Sequence, residues 1–170
     1  AFIGIKSDGF DDLFARWPRY AATDNKIAKV IQSPFDIAYS CALRTQEKND
    51  AAIFSDPRCI LGQGTQPPHM LVIGDSNGGH FIGYLGAVAD KVGFRFRNIT
   101  RASCPVFTTG LEKYIPENLY RVCHAFNEQV FTHSKAYDTI FIGGVWSRYY
   151  RAHPDFLQDL LATVQFFRSQ

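Results

Sequence analysis

The sequence predicts an α/β fold, a parallel sheet covered by helices on both faces. Three observations carry that prediction. Short apolar runs of strand length occur at Leu71–Ile73 and Thr139–Ile142, segments of helical period separate and follow them, and from Met70 onward the order is strand, helix, strand, loop, helix, strand, helix. A chain of 170 residues with 46% hydrophobic content is long enough for one globular domain with a sizeable core.

The elements follow in chain order. Residues 1–65 are irregular, broken at Trp17-Pro18, Ser33-Pro34 and Asp56-Pro57, and read as an N-terminal extension packed on the domain. Within them Ile27, Val30 and Ile31 share one face of a short helix near Thr23 to Ile31. Residues 66–170 hold the sheet domain, reached through the turn-rich Gly62-Gln-Gly-Thr-Gln-Pro-Pro68. After the Leu71 strand, Phe81, Ile82, Leu85, Val88 and Ala89 give a helix its apolar stripe, and Gly93 is placed to end it. Phe94 and Phe96 alternate with Arg95 and Arg97, the period of two expected of a strand nearer the sheet edge. Leu119, Val122, Cys123, Phe126, Val130 and Phe131 recur at helical spacing before the Thr139 strand. Pro154 opens a last helix expected to bury Phe156, Leu157, Leu160, Leu161, Val164 and Phe167. Three strands are visible, and a sheet whose last helix is unanswered by a strand is expected to be the N-terminal portion of a longer domain.

Composition narrows the function classes. A formal net charge of +2, with Lys and Arg scattered and no basic run longer than a pair, gives no argument for nucleic acid. No stretch approaches ~18 consecutive apolar residues, and the chain begins at Ala1 with no charged-then-apolar leader pattern, so excision from something longer is expected. Four cysteines allow three pairings, and sequence alone does not choose between them. The local pairing of Cys41 with Cys59 and Cys104 with Cys123 is preferred, because each bridge would staple a loop to the nearest regular element. No spacing gives Cys-x-x-Cys or a Cys/His cluster, so neither zinc nor any other metal or cofactor is expected.

Chemistry concentrates in Met70-Leu-Val-Ile-Gly-Asp-Ser76-Asn-Gly-Gly-His80, where an apolar strand passes through a small-residue turn into an amphipathic stretch. That arrangement mounts a serine at the carboxyl end of a buried strand, near the free N–H groups of the next helix, where developing negative charge is stabilised. Ser76 is therefore the candidate nucleophile, against the alternative that it caps the helix. Asp75 is adjacent, so its side chain is expected to point away from the hydroxyl and to hold the turn through backbone hydrogen bonds. Asn77 is as readily a turn residue as a substrate contact.

Gly74-Asp-Ser76 resembles block I of the SGNH/GDSL hydrolase superfamily, and the likeness extends further. Asp56-Pro-Arg-Cys59, Arg97-Asn-Ile-Thr-Arg-Ala-Ser-Cys-Pro105 and Tyr137-Asp-Thr-Ile-Phe-Ile-Gly-Gly-Val-Trp-Ser-Arg-Tyr149 are similar to the periplasmic SGNH domain fused to family-three membrane acyltransferases, which O-acetylate bacterial surface polysaccharides. The resemblance covers roughly Phe35 to Gln170. It implies a three-layer α/β/α sandwich with a flavodoxin-like parallel sheet. It also implies a serine O-acetyltransferase or acetylesterase acting on an acetylated sugar, an oxidising periplasmic or extracytoplasmic location, and a membrane acyltransferase domain in the same protein.

Two departures from the family pattern matter. The family's general base is a histidine in a late Asp-x-x-His motif, which occurs nowhere in this chain. The expectation is that the rest of the domain, beyond Gln170, supplies it, whether the chain is a fragment or one part of a nicked protein, and that these residues alone are inactive. None of the histidines present is a convincing base: His80 lies one turn beyond Ser76, His124 and His133 on a helix surface, His69 before the strand, and His153 at a helix cap.

The second departure lies at the end of the Thr139 strand. Gly143-Gly-Val-Trp-Ser147 stands where the family carries Gly-x-Asn-Asp, which removes the side-chain oxyanion donor and leaves backbone N–H groups near Ser103 or Gly144 to complement that of Ser76. Trp146 falls at the ligand-binding edge, where an indole could stack on a sugar, wall an acetyl pocket or simply pack under a loop. Tyr149 and Tyr150 read as surface or hinge aromatics. A catalytically inactive carbohydrate-binding or accessory domain of the same fold is the alternative function.

Overall fold

The computed structural model describes residues 41–45 and 51–170; the helix expected near Thr23 to Ile31 lies outside them. Five strands form one sheet: β1 (Ala42–Leu43), β2 (Ile60–Leu61), β3 (Met70–Gly74), β4 (Phe96–Arg101) and β5 (Thr139–Gly143). The helices are α1 (Ser76–His80), α2 (Ile82–Val92), α3 (Glu117–Ser134), α4 (Trp146–Ala152) and α5 (Phe156–Arg168), with short 3-10 turns at 51–54, 57–59 and 111–113. The order β1-β4-β3-β5 is parallel throughout, from Met70↔Phe96 to Gly74↔Thr100 on one side of β3 and from Met70↔Thr139 to Gly74↔Gly143 on the other. The first long strand thus lies between the second and third, with a crossover on either side.

Pleating divides the core. Leu71 and Ile73 point to the layer containing Cys123, Phe126 and Val130 of α3 and Phe156 of α5, while Val72 points to Ile82 and Ala89 of α2. Successive residues of β3 therefore face different helices, and the predicted three layers follow. Gly93 ends α2 in the left-handed conformation, φ 84°, with its N–H on Ala89.

Sequence and structure differ at three places in the scaffold. The Phe96 strand lies one in from the edge, but without the exposed face that its period of two implies: all six residues of β4 are buried, with β3 on one side and β1 and β2 on the other. Each covering strand is only two residues long, too short to leave a periodic pattern, so the sequence shows three strands where the sheet has five. The two short strands lie end to end along β4, parallel at Thr100–Arg101 and antiparallel at Phe96–Arg97. Asn98 fills the joint, accepting from the Cys41 N–H at 2.9 Å and donating to the Cys59 carbonyl at 2.9 Å. The Cys41–Cys59 disulfide crosses the same joint, and Cys104–Cys123 ties the loop after β4 to α3, as expected.

The second difference is the face that α5 buries. Phe156 is buried and Leu160 and Phe167 pack against the core as expected, but Leu157, Leu161 and Val164 are exposed, and Asp159 and Thr163 are buried in their place. Polar partners account for the rotation. Asp159 accepts from Tyr114 Oη at 2.7 Å, Lys113 Nζ at 3.0 Å and Thr109 Oγ1 at 3.2 Å, and Thr163 Oγ1 accepts the Thr108 N–H at 3.0 Å. Burial by itself would raise the Asp159 pKa; hydrogen bonds from Tyr114 and Lys113 outweigh it and hold the carboxyl below its ordinary range. The Tyr114 phenol is pushed far upward, first by burial and then by the adjacent carboxylate. The third difference is at the first helix, which breaks into α1 and α2 at Phe81, leaving that ring exposed against Phe141.

Candidate functional site

The carboxyl ends of β4, β3 and β5 lie side by side, and Ser76 follows the middle one. Three glycines allow the turn. Gly74 has φ 137°, and a Cβ there would run into the Gly143 carbonyl; a Cβ on Gly143 would overlap the backbone of Gly78. The first turn of α1 therefore rests directly on the end of β5, closer than any side chain would permit. No sequence signal marks the Gly78–Gly143 contact, because it joins residues far apart in the chain.

Asp75 is the helix cap, not Ser76. Its side chain accepts the Asn77 N–H at 2.7 Å, and Ser76 occupies the first helical position behind it. The half-buried Ser76 hydroxyl has no hydrogen-bond partner among the described residues, so the capping alternative is not realised. Asp75 holds the turn through backbone bonds as expected, and it also reaches across to the next loop. Its carboxylate accepts the Val145 N–H at 3.0 Å and the Tyr149 hydroxyl. The Asp75 N–H meanwhile donates to the Gly143 carbonyl at 3.3 Å, so the backbone carries the β3–β5 ladder one residue past its end and the Asp75 side chain, accepting from Val145, continues it.

Tyr149 is therefore neither surface nor hinge. It is 4% exposed, packed edge-on against Trp146, Phe107 and Tyr114, and its phenol is raised well above its ordinary pKa by burial and then by the Asp75 charge. Tyr150 is exposed, as expected. Tyr149 and the Val145 N–H are the groups that sequence reasoning missed; α4, which carries the tyrosine, is too short for helical period to mark it.

Ser103 follows β4 with φ 62°, the only positive φ at a non-glycine among the described residues. Cys104 anchors that residue on its far side, through a backbone bond to Arg101 at 3.1 Å and the disulfide to α3. The N–H groups of Ser76 and Ser103 have no acceptor among the described residues. Gly144 lies beneath the Trp146 ring, 3.1 Å from where its Cβ would be, and its carbonyl accepts the Trp146 N–H at 2.9 Å. The indole is half-buried against Tyr149 and Phe156. Gly144 and Trp146 thus meet in one loop, which Asp75 ties to the turn bearing Ser76 and Asn77.

The histidines are placed elsewhere. His80, His69 and His124 are exposed, His133 stacks on Phe54 at 4.6 Å, and His153 Nδ1 accepts the Asp155 N–H at 3.2 Å to start the last helical segment. Among the described residues no histidine is hydrogen-bonded to Ser76, and no three His, Cys, Asp or Glu side chains gather as metal ligands.

Residues 40–170 match the family model described as the SGNH domain (fused to AT3 domains). No curated protein and no solved structure matches the chain.

Proposed function

The chain belongs to the family of SGNH domains fused to AT3 domains, and on that premise we propose that Ser76 is the nucleophile of an O-acetyl transferase or esterase acting on a bacterial cell-surface polysaccharide. The observation that carries the reading is the division of labour between two adjacent residues. Asp75 takes the cap and the cross-loop bonds, leaving the Ser76 hydroxyl unengaged at the carboxyl end of the middle strand. A serine there attacks the acyl carbonyl, its proton passing to a base; the intermediate collapses by breaking the bond to the donor's leaving group, which takes that proton. The acyl-serine is then attacked by a sugar hydroxyl or by water, which gives its proton to the base and on to the departing serine oxygen, releasing the acetylated sugar or acetate.

The negative oxygen of each tetrahedral intermediate needs donors, and the N–H groups of Ser76 and Ser103 supply the pair that fits the two neighbouring strand ends. Gly144, Trp146 and Asn77 wall the acetyl or sugar pocket beside them. The base in this reading is a histidine of the full-length protein other than the five in these 170 residues, in the Asp-x-x-His motif that the family resemblance implies. Two disulfides mark an extracytoplasmic domain, and no helix among the described residues is long and apolar enough to cross a membrane. A periplasmic position, tethered through a membrane acyltransferase domain of the same protein, completes the proposal.

The alternative, an inactive carbohydrate-binding or accessory domain, is favoured by one observation, the lack of a histidine on Ser76 among the described residues. Hydrolysis of 4-nitrophenyl acetate by the full-length protein, compared with its Ser76→Ala variant, separates the two. Loss of turnover on substitution supports the catalytic reading, and equal turnover removes it.

A further inference from the structure

We infer that Tyr149 is a positioning residue for Ser76, acting through Asp75; the inference rests on the nucleophile reading above. The Asp75 carboxylate is fully buried and accepts from three donors on two segments: the Asn77 N–H on the nucleophile's own turn, and the Val145 N–H and Tyr149 hydroxyl on the following loop and helix. One oxygen serves the turn and the other serves the loop. Rotation of the carboxylate therefore shifts Ser76 and the Gly144–Trp146 wall relative to each other, and the phenol restrains that rotation. Its own ring cannot follow, since Phe107, Tyr114 and Trp146 contact it at angles of 80°, 69° and 74°. The raised Tyr149 pKa keeps its proton in place as the donor.

Removing the hydroxyl alone leaves that ring packing intact, while a reacting atom displaced by ~1 Å can cost ~100-fold in rate. Tyr149→Phe in the full-length protein is expected to lower kcat for 4-nitrophenyl acetate by about tenfold or more, with KM changed by less than about twofold. Tyr114→Phe is the control, because it deletes a comparable buried phenol–carboxylate bond at Asp159 and keeps the ring that packs against Tyr149. It is expected to lower thermal stability and leave kcat unchanged.

If Tyr149→Phe does not fold, Val145→Pro tests the same anchor. Val145 has φ −76°, which proline adopts, and the change deletes the N–H that reaches Asp75 while leaving a compact apolar side chain against the core. The same selective fall in kcat is expected. The inference is overturned if Tyr149→Phe, or Val145→Pro in its place, retains wild-type kcat while Ser76→Ala is inactive, or if Tyr114→Phe loses kcat to the same extent. Undiminished turnover by Ser76→Ala instead removes the nucleophile reading itself.

Discussion

Two buried carboxylates in this domain each accept a hydrogen bond from a buried phenol, and the rest of their surroundings differ. Asp159 is held by Tyr114, Lys113 and Thr109, all side chains, and it fastens the 111–113 turn and its preceding loop to α5. Asp75 is held by Tyr149 and two backbone N–H groups, and it fastens the turn bearing Ser76 to the loop after β5. The first is an ion-paired latch between a layer and its neighbour. The second has no cation among its hydrogen-bond partners in the described residues and ends beside a hydroxyl unengaged by them. Similar chemistry thus holds a helix in one place and sets the register of two strand ends in the other. Only at the second does a small displacement move a candidate reacting group.

That contrast is sharpest when each side is broken separately. Ser76→Ala should lower ester turnover of the full-length protein by at least about 10³-fold. The melting temperature should hardly move, because the lost hydroxyl holds no hydrogen bond among the described residues. Both quantities can be read on one purified sample, and a large stability loss with turnover intact would reassign Ser76 to the scaffold.

Opening the Cys104–Cys123 bridge by paired serine substitutions should cost about 2–4 kcal/mol, since it closes a loop with a sequence separation of 19. Because Cys104 follows the left-handed Ser103, turnover per folded molecule should fall too. The equivalent change at Cys41 and Cys59 should lower stability alone, and denaturant melts paired with kinetics distinguish them.

Tyr114→Phe should remove about 1–3 kcal/mol by leaving a buried carboxylate short of a donor, with kcat unchanged. The Asp159 latch also predicts a pH dependence with two limbs. The Asp159 pKa is depressed, so its contribution is complete above the ordinary value of 3.8 and is lost as pH falls through the folded-state pKa. The Lys113 pKa is raised, chiefly by its hydrogen bond to Asp159, so its contribution is complete below 10.5 and is lost as pH rises through the folded-state value. Melting temperature against pH should show Asp159→Asn flattening the acid limb and Lys113→Met the alkaline one. The smallest effect is expected at His80, whose replacement by alanine should leave turnover within about twofold. A large loss there would make it the base and remove the need for a histidine elsewhere.

Local pattern was enough for the elements that are long and have one kind of partner. The run at Leu71–Ile73 is a buried strand, that at Thr139–Ile142 is a strand left only half-buried at the end of the described sheet, and the Leu119–Phe131 periodicity is α3, whose apolar residues set the inward face that Asn127 shares. Pattern failed where polar groups decide. Asp159 and Thr163 share the buried side of α5 with Phe156, Leu160 and Phe167 while Leu157, Leu161 and Val164 stay exposed, and their partners lie about fifty residues back in the chain, out of reach of a local pattern. The two-residue strands beside β4 are held by pairing, Asn98 and a disulfide, none of which has a period.

At the site, the Gly-Asp-Ser turn was legible because strand, turn and helix are contiguous, and an aspartate before a helix is itself a cap signal. Tyr149 was not, since its bond to Asp75 spans 74 residues. The left-handed backbone at Ser103 is equally invisible, because serine carries no mark of positive φ.

The central claim is that Ser76, and no other serine, carries the acyl group. Treating the full-length protein with a fluorophosphonate probe and mapping the adduct by peptide mass spectrometry tests it most directly. The account predicts one adduct, on Ser76, formed in step with loss of ester turnover. An adduct on a different serine that abolishes turnover, or full turnover after Ser76 has been modified, would contradict it.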